Sequence, residues 1–262
     1  LLIESVEAVK EIRRRSVHYR EYCMLNGAKH LGISPTGDIG FYEELKIIAK
    51  KHSSFFSSVE LMSPVKAPRW YPILKRLIDT TASILGLMFC SFPFLIISIA
   101  VKFDTSGPVF YRQDRVGKNG KVFKMLKFRT MVKDAELKTG PIWASDEDPR
   151  LTRVGRFLKR SKLDELPQLI NVLIGDMSLV GPRPERPEFV LNFVEIIPAY
   201  DRRHDVKSGI TGLAQLFSGY DKGAESIYRK LRWDVRYIKK MGLKMDMWLI
   251  FRTIWALFKG ET

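Results

Sequence analysis

The sequence predicts an irregular α/β protein that is monotopic on a membrane, with a re-entrant Pro-broken helix and interfacial amphipathic helices. Three observations predict it. The stretch from Thr80 to Val101 carries no charged residue, and it reaches the roughly 20 residues a crossing helix needs. Cations flank it on both sides, Lys75 and Arg76 before it and Lys102, Arg112, Arg115, Lys118, Lys121 and Lys124 after it. A simple span cannot put both flanks on the cytoplasmic side, whereas a helix that enters, bends and returns can. Beyond residue 104, short apolar-alternating pieces sit between helical stretches, as strands around helices would.

Taken in chain order, residues 1–70 form a polar leader. Val6, Val9, Ile12 and Val17 recur about once per turn and predict an amphipathic helix over Glu4–Met24. Gly32, Pro35, Gly37 and Gly40 mark a loop, Phe41–Lys51 a second helix, and Pro64, Pro68 and Pro72 break the helical pattern beyond it. The leader holds no catalytic constellation, which leaves packing or self-association as its role. Residues 71–103 form the membrane helix. Pro93 lies past the middle of the uncharged stretch, where its missing N–H favours a kink, and Ser91 is placed to satisfy a freed carbonyl. Residues 104–262 form the cytoplasmic-face domain. Pro108–Arg112 and Lys121–Phe128 read as extended, and Thr152–Arg160, Pro167–Ile174, Ser226–Met241 and Met245–Lys259 as helices. The last carries Trp248, Phe251, Trp255 and Phe258 with Arg252 and Lys259, which suits either the lipid–water interface or packing on the core.

Composition narrows the function classes. The chain has 262 residues with 44 Lys and Arg against 29 Asp and Glu, a net charge of +15. An excess of this size predicts anionic partners such as lipid, phosphorylated substrate or nucleic acid. Two cysteines, Cys23 and Cys90, exclude a disulfide-dense scaffold and a Cys-rich zinc site. The mean hydropathy of −0.10 excludes a many-span transporter. The chain opens at Leu1 rather than at a Met, so further sequence is expected upstream.

Three segments carry candidate chemistry. In Tyr111–Met131, Lys127 and Arg129 would share one face of a strand and hold phosphate oxygens; a solvated basic face against lipid has the same composition. In Leu151–Glu185, Asp164 and Glu165 are adjacent acids in basic surroundings. Pro167 suits the first turn of a helix, so both acids fall near a helix N-terminus, where amides and dipole favour the ionised form. Such a carboxylate serves as a nucleophile, a metal ligand or a plain N-cap. In Gly181-Pro182-Arg183-Pro184, two prolines fix the backbone around a guanidinium suited to gripping phosphate. In Arg202–Gln215, Gly209 and Gly212 permit close approach, and His204 is either a base or a structural histidine.

KFRTM, KLDELPQLINVLIGDMSLVGPRPE and RHDVKSGITGLAQ come after a Pro-broken hydrophobic helix in this order. Together they resemble the bacterial sugar transferase family, the monotopic polyprenyl-phosphate phosphoglycosyl transferases. The resemblance runs from about Lys75 to Lys259 and omits residues 1–70. It implies transfer of a phosphosugar from a UDP-sugar to polyprenyl (undecaprenyl) phosphate with release of UMP, at the cytoplasmic face of the bacterial inner membrane. That step begins exopolysaccharide, O-antigen or glycoconjugate assembly and involves no nucleic acid. It also implies that Asp164 attacks phosphorus and carries the phosphosugar, and that Glu165, with Asp164, holds Mg²⁺. Arg129 and Arg183 match phosphate-contacting positions, beside Lys127. Lys159, Arg160, His204 and Lys207 complete the expected substrate-binding set. The sequence departs from the family in three places. Ser91 and Pro93 are separated by Phe92, Lys159 stands where arginine is frequent, and the run after the last motif, Leu216–Tyr220, lacks a Gly-Arg pair.

Overall fold

The computed structural model describes residues 2–25, 34–38, 40–62, 67–137, 140–143, 148–219 and 223–259. The chain runs through helices α1 (Leu2–Leu25), α2 (Phe41–Lys51), α3 (Ser53–Glu60), α4 (Trp70–Phe89) and α5 (Ser91–Asp104), then strands β1 (Phe110–Val116) and β2 (Val122–Phe128). Next come helices α6 (Arg153–Arg160) and α7 (Gln168–Ile174), strand β3 (Ser178–Val180), helix α8 (Pro187–Ile196), strand β4 (Gly209–Thr211) and helices α9 (Leu213–Phe217), α10 (Glu225–Lys240) and α11 (Leu243–Lys259). Short 3-10 segments occupy Leu163–Glu165 and Pro198–Asp205. The mixed α/β character stands, but the molecule is mostly helical. Among the described residues the sheets are a two-stranded antiparallel hairpin of β1 and β2 and a two-stranded parallel pair of β3 and β4.

The leader folds onto the rest of the chain. The inner face of α1 is Ile12, Arg15, Tyr19 and Cys23. Val17, expected on that face, is 56% exposed. The Val6 and Val9 side chains and the Gly32 and Pro64 positions lie outside the described residues. Ile12, Tyr19 and Cys23 join Phe41, Leu45, Ile48 and Val59 in one core with Phe189, Phe193, Ile227 and Leu231 of α8 and α10. Each such fully buried aliphatic or aromatic side chain stabilises the fold by about 1.5–3 kcal/mol.

The uncharged stretch is divided between α4 and α5, whose axes bend by 63°. No single described helix is long and apolar enough to cross a membrane. The break falls at Cys90, three residues before the expected Pro93. The ring of Pro93 excludes the carbonyl of Phe89 four residues upstream, so the helix ends there. Pro93 then sits in the first turn of α5, where amides have no intrahelical acceptor. Ser91 starts α5, while the hydroxyl that bonds back to a helical carbonyl is that of Ser98, 2.6 Å from Phe94 O. Ile84, Leu85, Met88, Phe89, Phe92, Leu95, Ile96 and Ile99 are exposed across the bend. The α11 residues Trp248, Phe251, Ile254 and Trp255 are exposed too, while Leu249 and Ala256 on the other side of α11 are buried. Of the two placements open to this helix, it therefore packs one side on the core and leaves the other bare.

The base of α4 is fixed by charge. Lys75 Nζ lies 2.7 Å from Asp246 of α11, and Arg76 donates to the carbonyls of Val172 (2.6 Å) and Leu173 (2.7 Å) at the end of α7. Asp79 accepts from Ser178 Oγ (3.1 Å) and Leu179 N (3.0 Å) of β3. The α4 helix is thereby tied to the segment just beyond Asp164 and Glu165.

Candidate active site

The acids sit on a backbone turn just ahead of the start of α7. After α6 ends, Lys162 takes a left-handed conformation (φ 59°), and Leu163–Glu165 close a 3-10 turn ahead of Pro167 and α7. A non-glycine residue held there stores about 1–3 kcal/mol. Among the described residues no backbone amide donates to either carboxylate, so the helix-terminus stabilisation expected for both acids is missing, and side-chain cations supply it to Glu165 but not to Asp164. Lys127 Nζ lies 2.7 Å from Glu165 Oε1 and 3.6 Å from Asp164 Oδ2. Arg183 grips Glu165 with both terminal nitrogens, at 2.6 and 3.3 Å.

The two acids differ in consequence. Burial pushes the Asp164 carboxyl above its ordinary value, with Lys127 opposing and the neighbouring charge of Glu165 adding to the rise. Burial acts on Glu165 in the same direction, but Arg183 and Lys127 overcome it and hold that carboxyl well below the usual range. Glu165 is a saturated anion. Asp164 is buried, 6% exposed, with one cation at 3.6 Å.

Two local devices aim the cations. Asn171 of α7 behaves like one more residue of the hairpin: its Oδ1 accepts from Leu126 N at 2.9 Å and its Nδ2 donates to Lys124 O at 2.8 Å. It clips the edge of β2 and sets Lys127 against the acids. The Gly-Pro-Arg-Pro turn has two residues that cannot donate, and the chain fixes it through its acceptors. The carbonyls of Pro182, Arg183, Pro184 and Glu185 accept in turn from Gly209 N (2.9 Å), Arg203 Nη2 (2.8 Å), Arg115 Nη1 (3.1 Å) and Val116 N (2.9 Å). The turn also lies flush on β4. A Cβ on Gly209 would stand 2.0 Å from Gly181 N, and one on Gly181 2.2 Å from Lys207 O, which is the close approach read from these glycines.

The structure thus gathers Asp164, Glu165, Lys127 and Arg183, and gives Arg129 and His204 other partners. The β2 strand ends at Phe128, so strand parity no longer binds Arg129 to the face of Lys127. Arg129 is buried and donates to Thr105 O at 2.7 Å, with Val101 O at 3.4 Å, closing the end of α5. Lys159 and Arg160 form the last turn of α6, with Arg160 exposed and Lys159 half-buried. Lys207 stands at the far end of α7, its Nζ 3.6 Å from the place a Cβ on Gly175 would take. His204 is buried against Asp201 and Tyr19, at 3.0 and 3.2 Å. That is the structural-histidine alternative. Ser91 and Pro93 belong to the α4–α5 bend. Sequence reading missed Arg115, Asn171, Arg203 and Asp234. Only Asp234 left a signal: it is an acid on the apolar stripe Ile227, Leu231, Val235, Ile238.

Among the described residues no three His, Cys, Asp or Glu side chains gather as a metal cage. Two adjacent carboxylates suit Mg²⁺, which takes one or two protein oxygens and completes its shell from water and phosphate. They do not suit a structural zinc.

The family described as bacterial sugar transferase matches residues 70–260. A UDP-N-acetylgalactosamine-undecaprenyl-phosphate N-acetylgalactosaminephosphotransferase of Aeromonas hydrophila is 40% identical over 190 residues, 72% of this chain and 45% of the relative. A UDP-glucose:undecaprenyl-phosphate glucose-1-phosphate transferase of Escherichia coli is 41% identical over 190 residues, 72% of this chain and 40% of the relative. The exopolysaccharide production protein PSS of Rhizobium leguminosarum is 40% identical over 190 residues, 70% of this chain and 94% of the relative. The match spans less than half the length of the first two relatives and nearly all of the third. The matched region holds all four gathered side chains and omits α1–α3, and the chain belongs to the bacterial sugar transferase family.

Proposed function

We propose that this chain transfers a phosphosugar from a UDP-sugar to undecaprenyl phosphate, an early membrane step of exopolysaccharide, O-antigen or glycoconjugate assembly. The observation that carries the reading is the unequal pair of acids: Glu165 saturated by two cations, Asp164 buried beside them and only loosely held. A carboxylate oxygen of Asp164 attacks the sugar-bearing phosphorus. The bond from that phosphorus to the bridging oxygen breaks, UMP leaves, and an acyl phosphate carrying the sugar remains on Asp164. A phosphate oxygen of the lipid then attacks the same phosphorus and frees the carboxylate. Two displacements let a water-soluble donor and a lipid acceptor react at different times.

Lys127 and Arg183 supply positive charge where an anionic diphosphate meets an anionic nucleophile. A donor phosphate competes with Glu165 for the half-exposed Arg183. Asp164 and, once a donor phosphate has drawn Arg183 away, Glu165 would hold Mg²⁺, which would neutralise charge on the diphosphate and the departing UMP. The exposed apolar surface of α4, α5 and α11 supports a seat at a membrane, and the cations that flank the bend favour the cytoplasmic leaflet of the bacterial inner membrane. Soluble proteins rarely leave so many large apolar side chains of one helix pair bare, and Trp248 and Trp255, with Arg252 and Lys259 on the same helix, suit the headgroup level. In this reading the α4–α5 bend is a re-entrant element. The test is UMP release by the detergent-purified chain across a panel of UDP-sugars, with and without Mg²⁺ and lipid acceptor. Sugar-dependent release that Asp164→Asn abolishes is expected. Turnover of the Asn variant at the wild-type rate would reject the carboxylate's role.

A further inference from the structure

Pro198–Asp205 has two working faces. One is gripped by the N-terminal helices. Arg15 Nη1 of α1 lies 3.2 Å from Asp201 Oδ2 and 3.1 Å from Asp205 Oδ1, and the Tyr19 hydroxyl donates to Asp201 Oδ1 at 2.6 Å. Arg202 donates to Val59 O at the end of α3, at 3.3 Å. The other face carries Arg203. Its Nη2 lies 2.8 Å from Asp234 Oδ2 of α10 and donates to the main-chain oxygen of Arg183 at 2.8 Å, while its Nη1 reaches the Tyr200 hydroxyl. Arg203 and Asp234 are 6% and 2% exposed. A continuous path therefore runs from α1 through Asp201 and Arg203 to the backbone of Arg183, and from its side chain to Glu165.

We propose that α1, although outside the residues that match the family, is a working part of the site, and that Arg203 is a positioning residue that fixes the main chain presenting Arg183. Several features point to position rather than mere stability. The turn holding Arg183 lacks two amides, so its place is set largely by its carbonyl contacts, beside the Gly181 amide on Thr211 O at 2.9 Å. Arg203 makes one of those contacts and takes its own place from Asp234 and from a segment that α1 clamps. The whole arrangement is buried, with the Arg183 side chain as its one half-exposed end. A shift of an ångström there moves the guanidinium off the donor phosphates, and displacements of that size cost on the order of 100-fold in rate. This inference rests on Arg183 acting on donor phosphate, as proposed above.

The test pairs a kinetic cycle with a structural readout on the full chain in detergent. Arg203→Met is expected to lower kcat/KM for UDP-sugar by about 10–100-fold. In an Arg183→Ala background the same change is expected to cost less than about twofold, because the two act as one unit. Equal losses in both backgrounds would overturn the proposal, since a merely structural arginine costs the same with or without Arg183. Tyr19→Phe keeps the ring in the core and covers the case in which Arg203→Met does not fold. Hydrogen–deuterium exchange at residues 181–186 is expected to rise in Tyr19→Phe, and unchanged exchange there would also overturn it. If the wild-type chain releases no UMP, the transferase reading fails while the exchange experiment still decides the coupling.

Discussion

Two acid–base clusters in this molecule use the same residue types to opposite ends. Around Asp201, the Arg15 guanidinium, the Tyr19 hydroxyl and the His204 ring converge on one carboxylate that is fully buried. Burial alone would raise that carboxyl, but His204, Arg15 and Tyr19 hold it below its ordinary value. Around Asp164, Lys127 and Arg183 converge instead on the neighbouring Glu165, and Asp164 is pushed up. The first cluster is closed and every oxygen is spoken for. The second opens at Arg183, whose side chain is 45% exposed, and leaves one carboxylate underpaired. A satisfied acid holds the fold, and an underpaired acid beside cations is available for chemistry.

Removing one acid from each cluster sharpens the contrast. Asp164→Asn is expected to cost about 10⁴-fold or more in UMP release, the scale seen when a nucleophile is lost, with no fall in thermal stability. Asp201→Asn is expected to destabilise the protein by about 1–3 kcal/mol, because it weakens the bonds of Tyr19, His204 and Arg15 to one buried carboxylate while Arg15 keeps Asp205; denaturant unfolding measures it. Equal stability losses from the two changes would break the comparison. Lys127→Met is expected to lower turnover by about 100-fold, since it removes a cation within ion-pair distance of both acids.

The smallest expected effect is on pH dependence. Burial pushes the His204 imidazole below its ordinary value, against the pull of Asp201. As pH falls below about 6.5, the unfolded chain takes up a proton that the folded chain refuses. Stability conferred by the neutral ring is therefore present above that pH and declines from pH 7 toward the lowered folded value. The slope is at most about 1.4 kcal/mol per pH unit. Unfolding midpoints of His204→Gln are expected to be flatter than wild type between pH 7 and 5.

Much of this was legible in the sequence, for reasons that differ by region. The helices α2, α6, α10 and α11 announce themselves by apolar period, and the acids by their motif. The α4–α5 break was readable as an event but misplaced, because proline acts on the carbonyl four residues before it. Lys127 meets the acids while Arg129 caps the end of α5, since strand parity holds only as far as the strand does. Pro198–Asp205 carries no apolar period, and its 3-10 turns were invisible. The contacts that aim the cations were invisible too. Asn171 on β2 and Arg203 on the Arg183 carbonyl meet main-chain atoms of distant segments, and a main-chain oxygen leaves no trace in residue type. Tyr19 and Arg15 lie in a leader without a catalytic constellation, and their partners Asp201 and Asp205 are 182 to 190 residues away in sequence.

The most direct measurement of the central claim is the intact mass of the protein after incubation with a UDP-sugar in the absence of lipid. The account predicts a mass increase of one phosphosugar, carried on a peptide containing Asp164, absent from Asp164→Asn and discharged by undecaprenyl phosphate. Unmodified protein at every time point, from a preparation that makes lipid-linked sugar once lipid is added, would contradict it.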